Sequence, residues 1–340
     1  MTQMPETKQT LFSDLAARLG MMCLRDRLSV QVDHASKLYG GMGLSRLHPE
    51  NSEAFSHLVE MTLKASGLYG RAQDNCLNYS LTRFEARLPR LPEAFDGFTI
   101  LHLTDLHSDG IPDRGRRLVE IIEGLRFDIC LITGDFRFLT WGDYHPALES
   151  SASIVKACRR RHNPLAVLGN HDFIEMTPGL EELGLRVLLN ESASIGKGGQ
   201  NLWFLGVDDP HLYGTHDLER AASGVPAKAC RILLCHSPEL YKQASEADVD
   251  LFLCGHTHGG QICLPGGLPI MTNAACPRAL AAGSWRYGGM VGYTSRGTGA
   301  SGCKARFFCP PEIVLVTLRA SRGEPRIVMN APGRKGESGA

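Results

Sequence analysis

The stretch Phe98-Thr-Ile-Leu-His-Leu-Thr-Asp-Leu-His107 decides the reading. An apolar, strand-forming run ends abruptly in Asp105 and His107, two side chains able to hold a metal. The pattern recurs downstream. Ile129-Cys-Leu-Ile-Thr133 runs into Gly134-Asp135, and Leu165-Ala-Val-Leu168 runs into Gly169-Asn-His-Asp172. Helical spacing fills the intervals at 115–125 and 147–161. Short apolar strands alternating with helices predict βαβ units and a sheet buried on both faces. Further strands are expected at 202–207, 231–235, 250–254, 291–295 and 312–318, with few helices between them. That drift from βαβ to strand-rich predicts an α/β sandwich of two sheets flanked by helices.

Composition narrows the class. The chain has 340 residues, with 36 basic and 36 acidic side chains balancing to zero. That length suits one large domain plus an appendage, burying about three quarters of the surface its unfolded form exposes. Collagen-like, mucin-like and disordered classes are excluded, and the charge balance gives no strong nucleic-acid signal. The eleven cysteines are odd in number, scattered and without a CxxC pair. Free thiols in a reducing compartment are therefore expected. No apolar run of membrane-spanning length and no export signal stand out, so the expected location is cytoplasmic.

Three zones follow: an N-terminal helical extension at 1–92, a catalytic domain at 93–320 and a flexible tail at 321–340. Leu11, Leu15, Leu19 and Met22 recur at helical spacing, and a second helix is expected at 55–65. The plain reading packs both helices on the main domain. A sharper one lays the basic, apolar stretch at 11–27 on a membrane surface, giving peripheral contact with the inner face.

The metal-competent residues sit where strands end. Besides those already named, His236 follows the strand at 231–235, and Gly255-His-Thr-His258 follows the one at 250–254. Carboxyl ends of parallel strands lie along one edge, so these groups should converge. Two Asp, one Asn and four His exceed one tetrahedral site and are too rich in nitrogen for Ca²⁺ or a Mg²⁺ cage. They suit two divalent first-row metals such as Mn, Fe, Zn or Co, with an Asp between them. Gly134, Gly169 and Gly255 would let the chain turn sharply and approach the ions. His102 lies inside a strand and reads as a hydrogen-bonded core residue, and alternation turns the Cys235 thiol into the core. His145 reads as surface or packing, and His211 reads as a loop residue that could lie near substrate.

The ordered set Asp105-Leu-His107, Gly134-Asp135, Gly169-Asn-His-Asp172, His236 and Gly255-His-Thr-His258 resembles the calcineurin-like metallophosphoesterase superfamily. Its YkuE/YaeI-like group is similar through the segment at 91–98, Gly206-Val-Asp-Asp209 and the segments at 255–261 and 296–312. The resemblance implies a four-layer α/β/β/α sandwich. It implies a first metal on Asp105, His107 and His258, a second on Asn170, His236 and His256, and Asp135 bridging both. His171 would not bind metal but face the scissile phosphate and protonate or stabilise the leaving oxygen. The implied reaction is hydrolysis of a phosphodiester or pyrophosphate by hydroxide made on the metals. Small-molecule or lipid-linked esters are the implied substrates, with UDP-2,3-diacylglucosamine of lipid A synthesis the named candidate. Arg137, Arg296 and Arg306 are candidate phosphate contacts, although each alone is more often a surface charge, and Asp172 is a further candidate beside His171. One position departs from the pattern. Many relatives carry an acidic residue where this chain has Phe138, which leaves Asp172, Asp143 or a carbonyl to orient His171 and disfavours a protein phosphatase. The alternatives are a non-catalytic interaction scaffold, a phosphomonoesterase or a nuclease of the same fold.

Overall fold

The computed structural model describes residues 6–32, 44 and 53–330. The tail at 331–340 lies outside them. Two sheets face each other. The first contains β1 (Ser80–Leu88), β2 (Thr99–Leu103), β3 (Ile129–Thr133), β4 (Leu165–Val167), β5 (Arg186–Val187), β14 (Glu312–Ala320) and β15 (Arg326–Met329). Their spatial order is β15-β1-β14-β2-β3-β4-β5. The second contains β6 (Glu191–Lys197), β7 (Gln200–Gly206), β8 (Arg231–Leu234), β9 (Leu251–Cys254), β12 (Gly283–Tyr287) and β13 (Met290–Thr294), in the order β12-β13-β9-β8-β7-β6. A small hairpin, β10 (Cys263–Leu264) and β11 (Leu268–Pro269), projects between β9 and β12.

Alternating side chains fill the space between the sheets. Ile100, Leu131 and Val167 of the first meet Phe204, Ile232 and Leu253 of the second, all fully buried. The other face of the first sheet packs on helices α1 (Glu6–Leu19), α2 (Met21–Val32), α5 (Arg116–Glu123), α6 (His145–Cys158) and α7 (Thr177–Glu182). The outer face of the second packs on α8 (Leu218–Ala222) and α9 (Tyr241–Glu246), where Cys235 is buried. The architecture is the expected four-layer sandwich. All eleven cysteines are free.

The first boundary differs from expectation. Strand β1 lies before residue 92, yet it pairs in parallel with β14 over its whole length, Ser80 opposite Glu312 through Leu88 opposite Ala320. The sheet therefore begins inside the zone read as helical. Strand β15, which pairs with β1, falls inside the zone read as tail. Two further helices, α3 (Glu53–Ala65) and α4 (Tyr69–Asn75), precede β1.

The stretch at 11–27 packs on the main domain, as the plain reading of it expects. Leu15, Leu19 and Leu24 are buried against the first sheet's helical layer. Arg18 pairs with Glu181 and Glu191. Arg27 is wholly buried, 2.7 Å from Asp208, and lies over the Tyr213 ring at 4.0 Å. No helix among the described residues is long and apolar enough to cross a membrane.

A buried cation left without its partner carries its full desolvation cost, and the same holds for the anion. Arg27→Ala, which strands Asp208, should lower the unfolding free energy by about 3–5 kcal/mol. Urea denaturation measures it, and a loss below about 1 kcal/mol would mean that the pair contributes no more than an exposed one.

Candidate metal centre

Strands β2, β3 and β4 run parallel to one another, as do β7, β8 and β9. Their carboxyl ends meet at one rim. From the first sheet come Asp105 and His107 after β2, Asp135 after β3, and Asn170 and His171 after β4. From the second come His236 after β8, then His256 and His258 after β9. All eight side chains are buried.

Contacts divide the cluster into two halves around Asp135. In one half, His107 Nε2 faces His258 Nε2 at 3.2 Å, and His258 Nε2 is 3.5 Å from Asp105 Oδ1. In the other, Asn170 Oδ1 lies 2.9 Å from His236 Nε2 and 3.0 Å from His256 Nδ1. Asp135 Oδ2 stands 3.6 Å from His107 Nε2 and 3.3 Å from His236 Nε2, within reach of both halves. Asp105, His107 and His258 form one grouping with ligand atoms close enough for a metal ion, and Asp105, Asp135 and His236 form another. His107, Asp135 and His171 form a third.

Backbone carbonyls set the direction of the rings. His107 Nδ1 donates to the Arg137 carbonyl, His236 Nδ1 to Thr133 at 2.8 Å and His256 Nε2 to Asn273 at 2.6 Å. A ligand histidine characteristically spends its outer N–H in this way, leaving the inner nitrogen with a free lone pair. The consequence is clearest around Asn170. The inner nitrogens of His236 and His256 are 3.2 Å apart and both face an amide oxygen. Acceptors that face one another need a proton or a cation between them, so the donor set fits a metal.

The charges agree. Burial holds the His107 pKa down at about 3, and burial drives those of His256 and His258 well below the ordinary value. Burial acts on His236 in the same sense, but Asp135 and Asp105 outweigh it and raise its pKa to about 10. Burial raises Asp105 to about 7, against the attraction of His236. Positive charge is therefore favoured beside Asp135 and Asp105, at His236, while burial keeps the other three rings neutral.

The local backbone is strained for this purpose. Asp105, His107, Asp135, His256 and His258 all have φ between 41° and 70°, in the left-handed region. Close approach does the rest. A Cβ on Gly169 would lie 2.2 Å from Asp135 Oδ1, and one on Gly255 would lie 2.3 Å from Asp105 Oδ2.

His171 Nδ1 donates to the Phe138 carbonyl at 2.9 Å, so the residue that replaces the family's acid orients the histidine through its backbone. Its Nε2 is 3.3 Å from Ser301 Oγ and 3.8 Å from Asp135 Oδ2. Asp172 faces away from it, accepting the amides of Gly169, Asp135 and Phe136 at 2.8–2.9 Å. Arg137 donates to the carbonyls of His171, Trp141 and Gly142. Arg306 donates to those of Gly299, Cys309 and Arg296, and lies 3.1 Å from His258 Nδ1. Arg296 pairs with Glu312 at 3.1 Å. Asp172 and these three arginines, read from the sequence as candidate substrate contacts, therefore brace the loops behind the site and do not line its cleft. His102 is a core residue hydrogen-bonded to Thr133 Oγ1 at 2.9 Å, and His145 is exposed.

The cleft itself, about 310 Å³, was not legible in the sequence. Asp135, Asn170, His171 and His256 form its floor, while Val59 of α3, Ile262, Ile270 and Met271 give it an apolar wall. A second cavity of about 580 Å³ adjoins it at His171, Gly302 and Cys303, lined by Tyr69, Phe138, Trp141 and Lys304.

Comparison with known proteins agrees with this geometry. Residues 98–260 match the model of the calcineurin-like phosphoesterase family. The uncharacterized metallophosphoesterase YkuE of Bacillus subtilis is 29% identical over 283 residues, covering 78% of this chain and 95% of that protein. The phosphodiesterase YaeI of Escherichia coli is 27% identical over 237 residues, covering 65% of this chain and 82% of that protein. A transmembrane protein with metallophosphoesterase domain from Danio rerio is 27% identical over 282 residues, covering 77% of this chain but only 61% of its own length. The chain thus carries a calcineurin-like phosphoesterase region at 98–260 and is similar over most of its length to proteins named metallophosphoesterases.

Gly255→Ala should push Asp105 out of place and lower the metal bound per chain, read by plasma mass spectrometry after desalting. Gly70→Ala, where an added Cβ meets nothing within 4 Å, should bind as the wild type does. Equal metal content in the two variants would show that the close approach at Gly255 does not position a ligand.

Proposed function

We propose that the protein is a dinuclear metal-dependent phosphodiesterase. The observation that carries the reading is the convergence of inward-facing acceptors, His236 Nε2, His256 Nδ1 and Asn170 Oδ1, beside Asp135. Asp105, His107 and His258 would hold one divalent cation, Asn170, His236 and His256 the other, with Asp135 shared. Such a pair acidifies water and offsets the charge of a phosphoryl group during in-line displacement. Mn, Fe, Zn and Co all suit these ligands.

The chain's own residues supply the rest. The Phe138 carbonyl takes the Nδ1 proton of His171 and leaves Nε2 at the junction of the two cavities, where the doubly protonated ring can give its Nε2 proton to the leaving oxygen. Those cavities favour a diester or pyrophosphate over a monoester. An ester with two substituents has a place for each: the apolar wall of Val59, Ile262, Ile270 and Met271 on one side, and Tyr69, Trp141 and Lys304 on the other. A lipid-linked nucleotide sugar such as UDP-2,3-diacylglucosamine has that two-sided character, and is the substrate we propose to test first.

Alanine at Asp135 or His256 should abolish hydrolysis of an aryl phosphodiester by the Mn²⁺-loaded enzyme. His171→Ala should lower kcat by about 10²–10⁴-fold, the usual worth of a positioned acid. His145→Ala should leave the rate unchanged, and chelation should remove it until metal is restored. Full activity in a His256→Ala enzyme of verified metal content would refute the site.

A further inference from the structure

Gly206-Val-Asp-Asp209, noted in the sequence, has no direct part in the metal site; its role runs through the residue two places on. The Asp209 carboxylate accepts the amides of His211, Leu212 and Tyr213 at 3.1, 2.7 and 3.0 Å, closing a tight turn. That turn holds the buried His211 ring against the ring of His256, with centroids 3.9 Å apart. On its other side, His211 Nδ1 donates to Glu239 Oε1 at 3.0 Å.

Glu239 joins three parts of the site. Its Oε2 accepts from Ser237 Oγ at 3.1 Å, next to the ligand His236. Its Oε1 also accepts the Ala275 amide at 2.6 Å, two residues beyond Asn273. Asn273 supplies the carbonyl that takes the His256 Nε2 proton. Both contacts that constrain the His256 ring, the tilted imidazole packed against it and the carbonyl clamp, are thus tied to one buried carboxylate.

His256 needs such a device because it is the exception among the ligand histidines. His107, His236 and His258 present Nε2 to the cluster, whereas His256 presents Nδ1. A half-turn of its ring about the Cβ–Cγ bond would carry Nδ1 away from Asn170 and His236 and break the Asn273 contact. We infer that His211 and Glu239 are a positioning pair that keeps the His256 ring turned Nδ1-inward, and so governs how tightly the half of the site containing Asn170 and His236 holds its metal. The inference rests on the two-metal reading above and adds residues that the family motifs do not include.

The test uses the full chain, stripped with chelator and titrated with Mn²⁺. Bound equivalents are read by plasma mass spectrometry, the coupling of the two ions by electron paramagnetic resonance, and folding by the thermal midpoint. Wild type should bind two equivalents with a coupled spectrum. In His211→Ala and Glu239→Ala, the first equivalent should bind as before, and the second about 10–100-fold more weakly, with loss of the coupled signal. His211→Phe, which keeps a ring against His256 but loses the Glu239 bond, should fall between. Wild-type binding of both equivalents in the alanine variants, even with a lowered thermal midpoint, would overturn the inference alone. One equivalent in the wild type would overturn the two-metal reading and this inference with it. Should an alanine variant fail to fold, His211→Phe and Glu239→Gln replace it, and unchanged second-site binding in both overturns the proposal.

Discussion

Buried imidazoles that have already given their outer protons to the backbone are the constraint on which the site depends. The carbonyls of Arg137, Thr133 and Asn273 each take a ring N–H, and the freed lone pairs then have one direction left. In water such a lone pair costs nothing. Buried at the rim of two sheets, it is expensive unless a cation meets it. The protein tolerates that cost because the sandwich over-determines the backbone here. Asp135 and His236 leave adjacent strands of opposite sheets, so neither can move without opening the core between them. The left-handed backbone at Asp105, His107, Asp135, His256 and His258 belongs to the same account. Each costs some strain, and each turns a side chain back over its own strand end toward the centre.

Much of this could be read in the sequence, for a physical reason. Strands buried on both faces are spelled as continuous apolar runs, and a ligand directly after such a run can lie only at the sheet's edge. Hence β2, β3, β4, β8 and β9 and the polar groups after them were legible. Strand β1 was not. Its buried positions, Phe84, Ala86 and Leu88, alternate with Arg83, Glu85 and Arg87, because this strand lies toward the sheet's edge and one of its faces carries charge. That alternation is the spelling of a half-buried strand, different from the continuous apolar runs that mark β2, β3 and β4.

The arginines show a different limit. A guanidinium near a phosphate site suggests a clamp, but its five donors serve equally well to gather carbonyls from irregular loops. Nothing in the spelling of Arg137 or Arg306 says which carbonyls lie within reach, since that depends on loop paths set by the left-handed residues. The same ambiguity explains Phe138. Loss of the acidic side chain reads as loss of the group that orients His171, yet the orienting group here belongs to the backbone, which every residue type possesses. Replacing a carboxylate by a carbonyl keeps the tautomer while adding no negative charge near Asp135.

The N-terminal helices extend this logic beyond the motifs. Arg27 of α2 donates to the Asp172 carbonyl at 2.9 Å, while the Asp172 carboxylate gathers the amides of Gly169, Asp135 and Phe136. One residue is therefore held from behind by a helix near the start of the chain and holds in front the two loops that carry Asp135, Asn170 and His171. Gln31, a turn further along α2, donates to Glu175 and accepts the Ile174 amide just beyond the same loop. A helix that merely covered an apolar face would need none of these polar contacts. Their placement makes α2 part of the framework of the metal centre, and it accounts for an arginine being buried in the helical layer when a leucine would have filled the space at lower cost.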